Sequence, residues 1–132
     1  MTDHHQGARD IVQAYIDTFN AQDPEAFART LHYPHMRIDG LGRVRTWQSW
    51  EAYAAEVDFA RLRETGWHHS VLDWQKDVQL GASKAHIAVN FTRYREDSSV
   101  IVSQESLYVV TLQDGRWGIS VRSSFLEETL PS

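Results

Sequence analysis

The hydrophobic pattern of the chain changes its period once, near Gly66. Before that point, apolar residues recur every three to four positions, which is the spacing of amphipathic helices. The clearest stripe, within residues 8–20, consists of Ile11, Val12, Tyr15, Ile16 and Phe19. After Gly66, apolar and polar residues alternate, which indicates strands. A chain with helices first and strands last predicts an α+β fold in which the helices pack on one face of an antiparallel sheet.

Two further helices are predicted in the first half of the chain. One begins at Pro24, with Asp23 as its N-cap. It extends to about residue 32, because Pro34 disfavours a helical conformation for the residue before it. The other covers residues 46–62, "TWQSWEAYAAEVDFARL", whose apolar residues again follow the helical period.

The strands follow from alternation and from the turns between them. The first covers residues 35–39, where alternation places His35, Arg37 and Asp39 on one face. The others cover residues 67–80, 85–95, 100–112 and 117–125. "EDSS" and "QDGR" are the predicted hairpin turns, and the second is the stronger signal because Gly115 tolerates a positive φ angle.

The composition of the chain excludes several classes of function. Its 132 residues contain no linker or internal repeat, so we predict a single domain over residues 1–132. A formal net charge of −5 without a lysine- or arginine-rich run predicts no nucleic-acid partner. The absence of cysteine excludes disulfides and thiolate catalysis. Since the first ten residues lack a signal-peptide pattern and no apolar run approaches ~18 residues, we expect a cytoplasmic protein with no membrane partner.

Two segments carry a family resemblance, "AYIDTFNAQD" near the start of the chain and "LYVVTLQDGRWGISVRSSF" near its end. With the order of elements, they resemble the nuclear transport factor 2-like superfamily, in its SnoaL-like branch, and most of all uncharacterised bacterial SnoaL-like proteins. The resemblance implies a cystatin-like cone, in which a strongly curved, mainly antiparallel sheet wraps around the N-terminal helices. It also implies a homodimer formed through the sheet. Because enzymes, binding proteins and association modules share this fold, the resemblance implies no single reaction.

Ketosteroid isomerase belongs to the same superfamily and offers a comparison of individual positions. That enzyme uses a carboxylate base together with a tyrosine and a protonated aspartate that stabilise an oxyanion. By resemblance, Tyr15 matches the tyrosine and Asp39 matches the base. The third position departs from the pattern, since Tyr108 is the nearest match to the protonated aspartate.

Each candidate catalytic residue also has a plain structural interpretation. Tyr15 is either a core tyrosine or a hydrogen-bond donor to a developing oxyanion. Asp39, which precedes Gly40, is either a turn residue or a base that abstracts a carbon-bound proton. Two arginines expected in the pocket, Arg37 and Arg93, also have two interpretations, since each could instead face solvent. Arg93 either reaches water at the end of its strand or binds an anionic group of the ligand.

The remaining pocket residues are predicted from the faces of the strands and from the aromatic content. Aromatic walls with a few polar groups are typical of a site for a small, partly apolar molecule. The predicted ligand-binding set is His35, Arg37, Trp50, Trp67, Phe91, Arg93, Tyr108 and Ser123.

The stretch "GWHHS" raises the question of a metal site, because His68 and His69 are adjacent. Neighbours on a strand point to opposite faces, so this pair is not expected to chelate one ion. A site built from His35, Asp39 and His69 is a minor alternative, and we predict no metal and no cofactor. We expect Trp67 and His69 to face inward, with His69 either an acid–base residue or a structural histidine.

Two functions are compatible with these residues. The first is a cofactor-independent isomerase, cyclase or dehydratase acting on a small, partly apolar carbonyl compound. Asp39 or His69 would be its base and Tyr15 its oxyanion donor. The second is a non-catalytic small-molecule-binding or dimerisation module with the same fold.

Overall fold

The computed structural model describes residues 3–127. Its helices are α1 (Gln6–Asn20), α2 (Pro24–Ala28), α3 (Trp50–Glu56) and α4 (Phe59–Glu64). Its strands are β1 (Leu31–Ile38), β2 (Val44–Trp47), β3 (His69–Leu80), β4 (Lys84–Tyr94), β5 (Val100–Gln113) and β6 (Arg116–Ser124). None of the helices in this part of the chain is long and apolar enough to cross a membrane.

All six strands form one curled sheet in the order β2-β1-β6-β5-β4-β3. The pairing of β1 with β6 is parallel and the other pairings are antiparallel. The helices cover the inner face of this sheet, and the core lies between the two layers. The predicted α+β fold with a mainly antiparallel sheet is therefore confirmed.

The first helix is the one that the sequence predicts most fully. The buried residues of α1 are Ala8, Val12, Tyr15, Ile16 and Phe19, which are spaced three and four apart or adjacent. This spacing keeps them on one side of the helix, where they pack against the sheet and against α2. The predicted stripe is thus the face that α1 presents to the core.

The second helix is shorter than predicted. It is capped as expected, with the Asp23 side chain accepting a hydrogen bond of 3.1 Å from the Ala26 backbone. It ends at Ala28 instead of continuing to residue 32, because Leu31 already pairs with Ile119 of β6. Pairing between strands distant in sequence therefore overrides the local helical preference.

The prediction of a single helix over residues 46–62 is wrong in two respects. Its first residues form β2, which pairs with β1, and the remainder is divided into α3 and α4. The division occurs at Val57, whose backbone is extended (φ −72°, ψ 123°), and Asp58 then caps α4 by accepting from the Arg61 backbone at 3.0 Å. An aspartate inside an apolar stripe was the sign of this second N-cap.

The long strands follow the predicted alternation. In β4 the buried inner face consists of Ala85, Ile87, Val89, Phe91 and Arg93. The turn between β5 and β6 has positive φ at Asp114 (53°) and Gly115 (75°), as expected for an Asp-Gly hairpin.

Candidate functional site

A cluster of polar side chains surrounds Arg122 inside the fold. Arg122 lies on β6 and is 1% exposed. Its Nε donates a hydrogen bond of 2.9 Å to Nε2 of His35 on β1, and its Nη1 donates to the hydroxyl of Tyr15 on α1. The parallel pairing of β1 with β6 and the packing of α1 on the sheet bring these three residues together.

His35 is held in its neutral form by these contacts. Its Nδ1 lies 2.9 Å from the Ile119 carbonyl oxygen, which can only accept, so Nδ1 carries the proton and Nε2 accepts from Arg122. Burial and the neighbouring charge of Arg122 both hold the pKa of His35 well below its usual value. His35 therefore serves as a neutral acceptor for a buried cation.

Two more tyrosines lie beside this arginine. The Tyr53 ring, from α3, lies 5.5 Å from the guanidinium carbon of Arg122, and Tyr108 on β5 packs edge-on against Tyr15 at 5.6 Å. Burial raises the pKa of Tyr53 and of Tyr108, so both hydroxyls stay protonated. Among residues 3–127, the buried Tyr53 hydroxyl has no hydrogen-bond partner.

Two other arginines point into the same interior. Arg37 is 3% exposed and lies in register with Arg122 across the β1–β6 pairing. Burial lowers the pKa of Arg37, and the charge of Arg122 lowers it further. Arg93, on β4, is 2% exposed, and its guanidinium carbon lies 5.8 Å from the Phe19 ring and 5.9 Å from the Phe91 ring. Three cationic groups thus occupy one largely aromatic interior.

A small cavity lies at the Arg93 side of this interior, between α1 and the sheet. Its volume is about 10 Å³, and it is lined by Tyr15, Ile16, Phe19, Ser70, Phe91 and Arg93. That volume holds roughly one water molecule. A larger ligand therefore requires side chains of α1 and β4 to move apart.

Asp39, the predicted base, is engaged in the turn that follows β1. Its Oδ1 accepts from the backbone N–H groups of Leu41 and Arg43, both at 2.9 Å, and its Oδ2 accepts from Nε of Arg43 at 2.6 Å. Burial alone would raise the pKa of Asp39, but these hydrogen bonds outweigh it and lower the pKa. The carboxylate is therefore ionised and already bound, an arrangement that favours the turn interpretation.

His69 is oriented opposite to the prediction. It pairs with Tyr94 and stacks on that ring at 5.1 Å, on the sheet face away from Ser70, which lines the cavity. Its Nδ1 lies 3.0 Å from Nδ1 of His68, which is possible because His68 precedes β3 and does not follow strand alternation. Within the described residues, no group of three or more metal-ligating side chains forms a metal site.

Trp67 and Phe91 lie inward as predicted, whereas two other predicted residues do not. Trp67 is 3% exposed, and its indole N–H donates to the Ser70 hydroxyl at 3.0 Å. Trp50 stacks under Arg29 at 4.3 Å in a surface cleft. Ser123 lies between the buried Arg122 and Ser124, so it points to the outer face of the sheet.

A β-bulge explains both the outward position of Ser123 and the failure to predict Arg122. Between the pairs Val109–Val121 and Val110–Ile119, β6 contains one additional residue, Ser120. The extra residue shifts the alternation, so that Ile119 and Arg122 face the same side. The signal in the sequence was Gly118, because an isolated glycine within a strand often marks a bulge.

The sheet wrapped around helices and its buried polar interior define a cystatin-like α+β protein of the nuclear transport factor 2-like class. A sequence model described as NTF2-like protein (DUF6841) matches residues 5–124, which is most of the chain. The chain belongs to this family. No curated protein matches it.

Solved structures of similar shape agree on the fold. An NTF2-like protein with a cystatin-like fold from Novosphingobium aromaticivorans has a TM-score of 0.74 at 15% identity, over 95% of this chain and 82% of that one. An NTF-2 like protein of unknown function from Shewanella oneidensis has a TM-score of 0.71 at 15% identity, over 89% and 95%. A ketosteroid isomerase-like protein from Erwinia carotovora atroseptica has a TM-score of 0.70 at 15% identity, over 94% and 96%. At these identities the similarity establishes the fold alone.

Proposed function

We propose that this protein binds a small, partly apolar molecule in the interior between α1, α3 and the inner face of the sheet. The observation that carries the proposal is the buried Tyr53 hydroxyl, which lacks a hydrogen-bond partner among residues 3–127 and sits beside Arg122 and Tyr15. A buried polar group left without a partner costs about 1–3 kcal/mol, so a ligand oxygen at this point would offset that cost. Aromatic walls with a few converging polar groups are typical of such sites.

The small volume of the cavity limits how tightly a ligand can bind. A molecule larger than water must separate side chains that are in contact in this structure. The free energy of that opening is subtracted from the binding free energy, so the apparent affinity is reduced by the fraction of molecules that are open. We therefore expect moderate affinity and a protein that becomes more stable when the ligand is bound.

The proposal is tested by extracting the purified, untagged protein with denaturant and analysing the released small molecules by mass spectrometry. Binding of any molecule found is then measured by calorimetry with Tyr53→Phe and with the control Tyr94→Phe. The Tyr94 ring lies on the outer face against His69, so only Tyr53→Phe is expected to weaken binding, by about tenfold. Equal effects of the two substitutions would contradict the interior site.

A second candidate function is the cofactor-independent isomerase, cyclase or dehydratase. It is favoured by the hydrogen bond from Arg122 to the Tyr15 hydroxyl, because a hydroxyl oxygen that accepts from a cation becomes a better donor to a substrate carbonyl. Asp39 or His69 would be the base. The three hydrogen bonds to Asp39 make it a weak base, and His69 lies on the outer face, so binding is the better supported function.

The enzymatic candidate is tested by exchange of carbon-bound hydrogen. The extracted ligand is incubated with protein in D₂O, and deuterium incorporation is followed by NMR. Tyr15→Phe and Asp39→Asn should each slow the exchange, with Asp10→Asn on the exposed face of α1 as the control. Exchange that is absent, or unchanged in both variants, would leave the protein as a binding module.

The predicted homodimer and cellular location remain proposals. We propose that two copies associate through the outer face of the sheet, where Val71, Trp74 and Leu107 are 37–41% exposed. Light scattering should then give twice the chain mass of 15.2 kDa at micromolar concentration. A mass of one chain would contradict the dimer. Cell fractionation tests the predicted cytoplasmic location. Membership of the SnoaL-like branch is also a proposal.

A further inference from the structure

We infer that the surface cleft beside Trp50 is a second binding site, which takes a small aromatic carboxylate. The cleft has a volume of about 230 Å³ and is lined by Arg29, Leu31, Tyr33, Trp50 and Arg116. A cavity of about 150 Å³ accommodates benzene, so this cleft has room for one ring and an attached acidic group. The interior cavity is lined by a different set of residues, which makes the inference independent of the proposed function.

The guanidinium of Arg116 is held in a fixed position at one side of the cleft. Its Nη1 donates to the Arg29 carbonyl oxygen at 2.8 Å, and its Nη2 lies 3.1 Å from Nδ1 of His32. Nε2 of His32 lies 2.9 Å from the Arg116 carbonyl oxygen, which can only accept, so Nε2 carries the proton and Nδ1 accepts. Burial is the main cause that lowers the pKa of His32, which favours this neutral form. Two neutral acceptors therefore orient the Arg116 guanidinium.

The position of His32 is itself built into the sheet. A Cβ atom at Gly118 would lie only 2.6 Å from Cδ2 of the His32 ring, so glycine gives the ring its space. The ring in turn contacts both the backbone and the guanidinium of Arg116. The direction of this guanidinium is thus set by packing between β1 and β6, as expected of a preorganised binding group.

Arg29 brings a second guanidinium to the same cleft. Its guanidinium carbon lies 4.3 Å from the centre of the Trp50 ring, a stacking arrangement that suits the planar group. Its carboxylate partner, Glu25, is 3.6 Å away, and both side chains are more than half exposed, so solvent screens this pair. Among residues 3–127, Arg116 forms no ion pair, and the nearby Asp114 is exposed. A carboxylate in the cleft can accept hydrogen bonds from both arginines.

The aromatic walls indicate the rest of the ligand. The Tyr33 hydroxyl donates to the Ala28 carbonyl oxygen at 2.7 Å, which fixes the ring beside the cleft. Burial raises the pKa of Tyr33, so the hydroxyl keeps the proton of this bond. Trp50 and Leu31 add apolar surface. A ring attached to the carboxylate would contact these walls, whereas an inorganic anion would leave them uncovered.

The inference is tested by titrating the full chain at pH 7 with benzoate, benzamide and acetate, and following the tryptophan indole N–H signals by NMR. Benzamide has the ring of benzoate without its charge, and acetate has the charge without the ring. We expect benzoate to shift the Trp50 signal, assigned through Trp50→Phe, and to bind about fivefold more tightly than either other probe. The Trp67 indole donates to Ser70 beside the interior cavity, so its signal reports binding in the interior separately.

Matched variants identify the residues that carry the binding. Arg116→Gln and Arg29→Gln should each weaken benzoate binding about fivefold and leave benzamide binding within about twofold, whereas Arg61→Gln, on the exposed face of α4, should change neither. Arg116→Lys keeps the charge without the planar fork, so it should retain part of the preference for benzoate even if Arg116→Gln disturbs the hairpin.

The outcomes for the two sites are distinguishable. Equal binding of benzoate, benzamide and acetate, or a Trp50 response that Arg116→Gln leaves unchanged, would overturn the cleft inference while the interior site stands. Tyr53 lies in the interior, so Tyr53→Phe should leave the Trp50 response to benzoate as it is in the parent protein. A loss of that response in Tyr53→Phe would also contradict a separate site in the cleft.

Discussion

Two regions of this protein combine an arginine with buried polar groups, and they do so in opposite ways. In the turn after β1, Arg43 and Asp39 form a salt bridge of 2.6 Å between residues four positions apart, and the Arg43 side chain is 51% exposed. In the interior, Arg122 is fully buried and contacts Tyr15 and His35, which are 107 and 87 positions away. The contact in the turn joins opposite charges that are close in sequence, whereas the Tyr15 and His35 contacts of Arg122 join a cation to neutral groups that are distant in sequence.

The difference separates a contact between near neighbours from one that depends on the assembled fold. The Asp39 carboxylate is satisfied within the turn, by groups two and four residues away. The interior cluster exists only when α1, β1 and β6 are assembled, and beside it lies the buried Tyr53 hydroxyl, which has no hydrogen-bond partner among residues 3–127 and which the proposed ligand would contact. Substitutions in the interior should therefore change stability and binding strongly, and substitutions in the turn should change them little.

The largest effect on stability is expected for His35→Ala. The substitution leaves the Ile119 carbonyl without its donor, removes the acceptor of Arg122 Nε and opens a void in the core. We expect the free energy of unfolding to fall by about 3 kcal/mol. Urea unfolding at pH 7 measures this, and a loss no greater than that of Asp39→Asn would contradict the contrast between the two regions.

A smaller loss is expected for Tyr15→Phe. The ring keeps its contacts with Phe27 at 4.8 Å and Tyr108 at 5.6 Å, so only the hydroxyl that accepts from Arg122 is lost. The expected decrease is about 1–2 kcal/mol. The same unfolding measurement on Tyr94→Phe, a ring on the outer face, serves as the control and should stay within about 0.5 kcal/mol of the parent protein.

The pH dependence of stability provides a third test. Because the pKa of His35 is well below 6.5 in the folded protein, the unfolded chain binds more protons below about pH 6.5. The free energy of unfolding should therefore be highest above that pH and fall as the pH decreases toward the folded-state pKa of His35, by at most about 1.4 kcal/mol per pH unit for this group. His32, whose pKa is also lowered, contributes with the same sign.

The variant His35→Gln isolates the contribution of His35 to this profile. Its unfolding free energy should depend less on pH between 6.5 and 5 than that of the parent protein, with the contribution of His32 remaining. Parallel profiles for the two proteins would show that His35 is not held neutral in the folded state.

The smallest effect is expected for Asp39→Asn. The amide oxygen can still accept from the backbone of the turn, and the partly exposed ion pair with Arg43 is screened by solvent. Since the pKa of Asp39 is lowered in the folded protein, its contribution is present above about pH 3.8 and is lost as the pH falls through the folded-state pKa. The difference between variant and parent in urea unfolding should accordingly shrink below pH 3.8. A large loss at pH 7 would mean that the turn carries more of the stability than its geometry indicates.

Much of the fold was predictable because its signals are local. The change of hydrophobic period near Gly66 identifies the helical and stranded parts, and the Asp-Gly turn identifies the last hairpin. The short strand β2 was missed because four residues contain too little alternation to be recognised. The break between α3 and α4 was missed because the apolar stripe continues across Asp58.

The candidate site was predictable only in part. Alternation correctly placed His35 and Arg37 on an inward face, and the predicted inward positions of Phe91, Arg93 and Tyr108 are also those observed. Their roles in binding remain predictions. His69 was expected on the wrong face, because whether a strand turns one side or the other to the core depends on what packs against it.

By itself, the sequence determined the class of fold, the order of its elements and most of the residues that turn inward, since these depend on periods repeated over a few neighbouring positions. Only the tertiary structure decided that Arg122 is the centre of the polar cluster. One extra residue, Ser120, shifts the register of β6 against β5, and this shift is set by hydrogen bonding between strands. Pairing across the sheet, which no local period encodes, therefore selects which arginine faces the interior.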